Sequence, residues 1–264
     1  MSNDDTGTMP LIKHLEELRQ RLIKCFLAIG AGACVSYLFK ERIWEWLEIP
    51  YLRSLPKGQV QKLIYTAPHE AFFTYLQVAF IGGVLLAIPV ILFQLWRFIA
   101  PGLYSDEKRY VIPIAFVSTV FFLGGALFGY YLVFPAAFHF FTSFANEFIS
   151  PMITTKAYLS FCLRLLLGFG VVFELPVFVF FLARMGMVTA AFLRKQRRYA
   201  IILCFVVAML ITPSPDVFSQ LMMAGPLLVL FELSVWIAHF FGRERTAERD
   251  AEVSEENNQS DSSD

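Results

Sequence analysis
The chain has 264 residues, of which 57% are hydrophobic and 17% charged, and its formal net charge is zero at pH 7. A soluble domain carries about 25% charged residues, so the apolar excess needs a solvent other than water, and a balanced charge gives no electrostatic footprint for nucleic acid. Cys25, Cys34, Cys162 and Cys204 lie in apolar runs without a CxxC or Cys/His cluster. They read as small buried hydrophobes, so neither a metal nor a cofactor is expected.

Residues 1–10 are polar and mildly acidic, and no A-x-A site follows the first apolar run, so that run is expected to remain in the mature protein. Leu11, Leu15, Leu18 and Leu22 form an i, i+4, i+7, i+11 stripe. That spacing predicts an amphipathic helix over 11–24 leading into the first span. Six apolar stretches occupy about 22–39, 71–95, 110–134, 158–182, 199–211 and 217–241. Crossing about 30 Å of hydrocarbon takes about 20 apolar residues. The fifth stretch gives only about 20 Å of helix, and the sixth is interrupted by Pro226 and carries Glu232. These two read as a short hairpin that either thins the bilayer or is covered by a partner.

The prediction is an all-α polytopic membrane protein of six transmembrane helices, the last two short. It forms a single membrane domain over 1–243, followed by a disordered acidic tail from 244 to 264. Prolines 89, 113, 176 and 226 fall in or at the ends of spans, where neighbouring helices repair the lost backbone bond. Gly125 and Gly129 permit one close helix contact.

Orientation follows from Lys and Arg. Lys13, Arg19, Arg21, Lys24, Arg97, Lys108, Arg109, Arg184, Arg194, Lys195, Arg197, Arg198, Arg243, Arg245 and Arg249 share the side of the N-terminus. Lys40, Arg42, Arg53, Lys57, Lys62 and Lys156 lie on the other, and Arg164 falls inside the fourth stretch. The positive-inside rule then places both termini in the cytoplasm. On the outer side, Ile43, Trp44, Trp46, Leu47, Ile49, Tyr51 and Leu52 interleave with charges, which predicts an interfacial helix within 40–70. A Phe-rich helix over 136–149 is expected to do the same.

Three groups are candidates for function. Glu17 and Arg21 stand at i, i+4 on the first helix, beside Glu16 and Arg19. They read as an ordinary intrahelical ion pair or as a carboxylate offered to a cationic ligand. In the connection 96–109, Pro101-Gly102 marks a turn, while Asp106 and Glu107 suit the N-terminus of the third span through its dipole. Glu174 lies deep in the fourth stretch, where an ionisable group is costly and faces protein or a water-filled cavity. Arg164, ten residues away and about 15 Å along the axis, is too distant to pair with it and is near enough to the outer end to snorkel. Asp216 reads as a helix cap, with Gln220 one turn on. No HExxH, GxSxG or phosphate-cradling loop occurs. Glu174 also admits a proton-coupled solute transporter, although no internal repeat supports one.

Four segments resemble the TatC family. His14-Leu-Glu-Glu-Leu-Arg-Gln-Arg-Leu22 is similar to the N-terminal signature H-L-x-E-L-R-x-R. Phe98-Ile-Ala-Pro-Gly-Leu-Tyr104 with Glu107-Lys-Arg is similar to the first cytoplasmic loop. Gly168-Phe-Gly-Val-Val-Phe-Glu-Leu-Pro176 and Thr212-Pro-Ser-Pro-Asp-Val-Phe-Ser-Gln220 match the fourth helix and the final bridge. The likeness runs from about 9 to 243; Arg164 is an unusual charge for that helix.

The resemblance implies a glove-like, non-enzymatic core subunit of the twin-arginine translocase, without cofactor, in the bacterial inner membrane. It implies binding of twin-arginine signal peptides of folded cargo, assembly with TatA- and TatB-type single-span partners and further copies of itself, and dependence on the proton-motive force. By position it assigns Glu17, Arg19, Arg21, Phe98 and Glu107 to the signal peptide and Pro50 to a functional outer-loop position. It assigns Glu174 to a cavity acid, and Met209, Thr212, Asp216 and Gln220 to the partner-binding edge.

Overall fold
The computed structural model describes residues 11–54, 63–99, 111–144, 152–212 and 217–241. Glu107, Asp216, the Pro101-Gly102 turn, positions 145–149 of the Phe-rich segment and the acidic tail lie outside them. The chain divides into two compact units at the Gly170–Val171 junction.

The first unit begins with α1 (Leu11–Leu38), in which the amphipathic segment and the first span are one uninterrupted helix. Leu15 and Leu22 of its leucine stripe are exposed; the flank bearing His14, Glu17 and Arg21 turns instead toward α3 (Glu70–Ile99). The two helices run antiparallel and pack along their lengths, with His14 against Phe98, Arg21 against Gln94, and Gly32 against Gly83. Glycine permits this approach: a Cβ on Gly83 would lie 2.4 Å from the Ala33 nitrogen, and one on Gly32 would lie 2.6 Å from the Gly83 carbonyl oxygen. Trp96 donates to Ser118 at 2.7 Å and so ties α3 to α4 (Val111–Phe128).

The Phe-rich segment is not a separate interfacial helix over 136–149. A single π turn (Gly129–Val133) carries α4 directly into α5 (Phe134–Thr142). Pro135 has no N–H to continue the ladder, and the Phe134 N–H reaches five residues back to the Gly129 carbonyl. The register shifts by one residue and the helix goes on. Gly129 also admits α6 (Thr155–Arg184): a Cβ there would lie 2.7 Å from Leu165 Cδ2.

The expected helix after α1 is α2 (Lys40–Ser54), with Pro50 inside it and Leu47, Pro50 and Tyr51 buried. Proline at 50 removes the donor that would reach the Trp46 carbonyl. Tyr130 supplies its hydroxyl to that carbonyl, and Tyr158 supplies its own to Leu47. The Tyr130 ring stacks on Trp46 at 3.9 Å between centroids, while Tyr51 meets Phe138 and Tyr158 edge-on. Burial pushes the Tyr51 hydroxyl above its ordinary pKa and the Glu48 carboxylate adds to the shift, so it stays neutral. The core joins Leu47, Val78, Ile81, Ala126, Tyr130, Leu159 and Leu166 from α2, α3, α4, the π turn and α6. Ile64 accepts both the backbone N–H of Thr155 (2.8 Å) and its hydroxyl (2.9 Å), which fastens the α2–α3 connection to the start of α6.

The second unit holds the end of α6, then α7 (Ala190–Lys195), α8 (Arg197–Ile211) and α9 (Val217–Phe241). Thr189 caps α7 by accepting the Phe192 N–H at 3.2 Å. Val179, Ala183 and Ala238 are buried with Leu175, Ala190 and Leu193 around them. Pro226 does not interrupt α9, which is helical throughout its 25 residues.

Among the described residues, five helical runs are long and apolar enough to cross a membrane: Lys13–Leu38, Glu70–Ile99, Val111–Thr142, Thr155–Arg184 and Gln220–Phe241. The 15 residues of α8 extend only about 22 Å, short of the hydrocarbon thickness as expected. Among the described residues this integral membrane protein is almost wholly helical.

Candidate functional site
Successive turns of α1 bring His14, Glu17 and Arg21 onto one flank, and the last two turns of α3 bring Gln94 and Phe98 to meet them. Arg21 donates through Nε to Glu17 Oε1 at 3.0 Å and through Nη2 to the same oxygen. Its remaining terminal nitrogen, Nη1, donates to Gln94 Oε1 at 3.2 Å. Both members of the ion pair are partly buried, with side chains 13% and 24% exposed for Arg21 and Glu17. Partial desolvation strengthens such a pair relative to one in open water. His14 stacks on Phe98 with ring centroids 4.3 Å apart and planes 15° from parallel. Stacking fixes Phe98 and closes the crossing of the two helices.

Of the predicted site residues, Glu17, Arg21 and Phe98 therefore come together. Arg19 is exposed on another face of α1, as is Glu16. Gln94 was missed because a lone glutamine in an apolar run carries no periodic signal; only the pairing of α1 with α3 shows it as an acceptor.

Pro50 is buried in α2, and its carbonyl accepts the Ser54 hydroxyl at 2.7 Å. Sequence reasoning also missed its tyrosine supports, which come from positions 80 and 108 residues further along the chain. Glu174 is 5% exposed within α6, two residues before the proline that the helix passes through.

At the predicted partner edge, Met209 is 60% exposed, while Thr212 is buried just beyond α8. Gln220 donates to the Phe205 carbonyl at 3.0 Å, which ties α9 to α8. Arg197 reaches Glu232 at 2.7 Å between the same two helices. Among the described residues no cluster of His, Cys, Asp and Glu could hold a metal ion.

The family description "Sec-independent protein translocase protein (TatC)" matches residues 13–226. The chain belongs to the TatC family. It is 45% identical to a Sec-independent protein translocase protein TatC of Desulforapulum autotrophicum, over 96% of this chain and 93% of that one. It is 42% identical to the TatC of Escherichia coli strain K12, over 93% and 94% respectively. A crystal structure described as the twin arginine translocase receptor TatC aligns with a TM-score of 0.75 at 38% identity, covering 85% of this chain and 97% of that one. TatC membership makes the chain a component of protein translocation rather than an enzyme, and the helical membrane fold agrees with its solved relatives.

Proposed function
We propose that this TatC protein is the signal-peptide receptor of a twin-arginine translocase. Glu17, aided by Glu107, would accept the consecutive arginines of a signal peptide, with Phe98, Arg19 and Arg21 shaping the surface. The observation that carries the reading is the Glu17–Arg21 pair. One carboxylate, held between two helices, already accepts two N–H groups of a guanidinium. Such a site is shaped for a planar fork, which an ammonium cannot reproduce. Gln94 gives Arg21 a second acceptor, so Glu17 can turn toward an incoming arginine without leaving Arg21 unpaired.

The remaining proposals follow from the charge distribution and the family. Both termini lie in the cytoplasm of a bacterial cell, in line with the excess of Lys and Arg on that side. TatA- and TatB-type single-span proteins cover the short α8 near Met209, Thr212, Asp216 and Gln220. Several copies assemble, Glu174 serves as a cavity acid, and the proton-motive force drives transport of folded cargo.

The deciding measurement is the affinity of twin-arginine and twin-lysine peptides for the protein in lipid nanodiscs. A charge-assisted bond is worth about 1.5–3 kcal/mol, so Glu17→Ala should weaken twin-arginine binding about 10- to 100-fold. A twin-lysine peptide should bind comparably weakly to wild type. Equal binding of the two peptides, together with an unaffected Glu17→Ala/Glu107→Ala variant, would remove the proposal.

A further inference from the structure
The 30 residues of α3 extend about 45 Å, the thickness of a bilayer with its headgroups, so the first turn of α3 lies at headgroup level. Beside that turn is a cavity of about 280 Å³ lined by His69, Glu70, Phe73, Thr74, Gln77 and Lys156. Lys156 comes from the first turn of α6; its side chain is exposed and forms no ion pair among the described residues. The Glu70 carboxylate accepts the Thr66 N–H at 2.7 Å and the Thr66 hydroxyl at 3.0 Å. Those bonds fix its orientation, and a carboxylate has about four acceptor sites, so it can still take further donors. His69 packs edge-on against Phe73 with ring centroids 5.9 Å apart. Phe73, Leu76 and Phe80 continue from the cavity along one face of α3 as an exposed apolar strip.

We propose that this cavity holds the headgroup of one phospholipid that carries both a phosphodiester and a primary ammonium. Lys156 and Glu70 give the cavity one charge of each sign, which matches a zwitterion and not an anionic headgroup. The Lys156 ammonium is a compact point charge suited to phosphate, and His69 adds a ring N–H donor beside it. The ammonium of the lipid donates to Glu70; a quaternary ammonium has no N–H with which to do so. A free phosphate would instead set its own charge against the Glu70 carboxylate. Gln77, seven residues and about 10 Å further along α3, reaches the depth at which the headgroup gives way to hydrocarbon. The strip of Phe73, Leu76 and Phe80 then takes the acyl chain. The proposal concerns the opposite end of α3 from Gln94 and Phe98 and does not rest on the signal-peptide reading.

The test presents the full chain, stripped of lipid in detergent, with equal amounts of phosphatidylethanolamine, phosphatidylcholine and phosphatidylglycerol, and counts retained lipid by native mass spectrometry. One phosphatidylethanolamine should be retained in preference to the other two. Lys156→Ala should lower that retention about fivefold, as for an ion pair near the surface. Glu70→Gln should remove the preference over phosphatidylcholine while lipid still binds. If Glu70→Gln fails to fold, the headgroup preference of the unaltered chain and the exposed Lys156→Ala substitution still decide. Equal retention of the three lipids, preference for phosphatidylglycerol, retention indifferent to Lys156→Ala, or displacement of the lipid by inorganic phosphate would overturn the proposal.

Discussion
Tyr130 donates its hydroxyl to the Trp46 carbonyl, the group that Pro50 deprives of its helical donor. A proline in the middle of α2 is thus tolerated because a side chain from the π turn between α4 and α5 replaces the missing N–H. Removing that hydroxyl leaves a partly buried carbonyl without its donor, a loss of about 1–3 kcal/mol. Tyr130→Phe should therefore lower the unfolding free energy in detergent by that amount. In a Pro50→Ala background the alanine N–H returns, and the same change should cost less than about 1 kcal/mol. Additive effects in this double-mutant cycle would show that the hydroxyl does not serve the proline.

The α1–α3 crossing depends on a residue without a side chain. A Cβ at Gly83 would press on the Ala33 backbone at 2.4–2.6 Å, whereas one at Gly30 meets nothing within 4 Å. Backbone cannot yield as a flexible side chain does, so Gly83→Ala should destabilise by about 1–3 kcal/mol, and Gly30→Ala should be near neutral. Because the same crossing holds His14 against Phe98 and Arg21 against Gln94, Gly83→Ala should also weaken disulfide crosslinking between cysteines placed at 14 and 98. Equal thermal midpoints for the two alanine variants would argue against this account.

Much of the architecture was legible because it rests on local signals. Apolar run length marked the spans, and the i, i+4 spacing of Glu17 and Arg21 marked their ion pair, which α1 indeed forms. What the sequence hid depends on contacts between distant residues. Pro226 reads as a break, yet α9 passes through it. The Phe-rich segment reads as a separate helix, yet a π turn before Pro135 lets α5 continue α4. The leucine stripe of α1 pointed to one face, while the flank packed on α3 is the one bearing Glu17 and Arg21, because close approach at Gly32 and Gly83 fixes the rotation of the pair. Gln94 and the two tyrosines beneath α2 acquire their roles only through partners more than 70 residues away.

Gln94 gives the sharpest distinction between a carboxylate that is merely paired and one that can be released. Arg21 divides its guanidinium between a charged acceptor, Glu17, and a neutral one, Gln94 at 3.2 Å. If a signal-peptide arginine takes Glu17, Arg21 keeps one bond through Gln94 and avoids a partly buried charge without an acceptor. Gln94→Leu removes that alternative without altering Glu17. Arg21 should then hold Glu17 more exclusively, and twin-arginine peptide affinity should fall by up to about 10- to 100-fold, the equivalent of about 1.5–3 kcal/mol for one hydrogen bond to a charged group. Gln94→Glu should behave differently, because a second carboxylate competes for Arg21 and frees Glu17, so affinity should be kept or raised. Isothermal titration of both variants with the same peptide decides the matter: if the leucine and glutamate variants change affinity in the same direction and by the same amount, Gln94 acts on packing and not on the partition of Arg21.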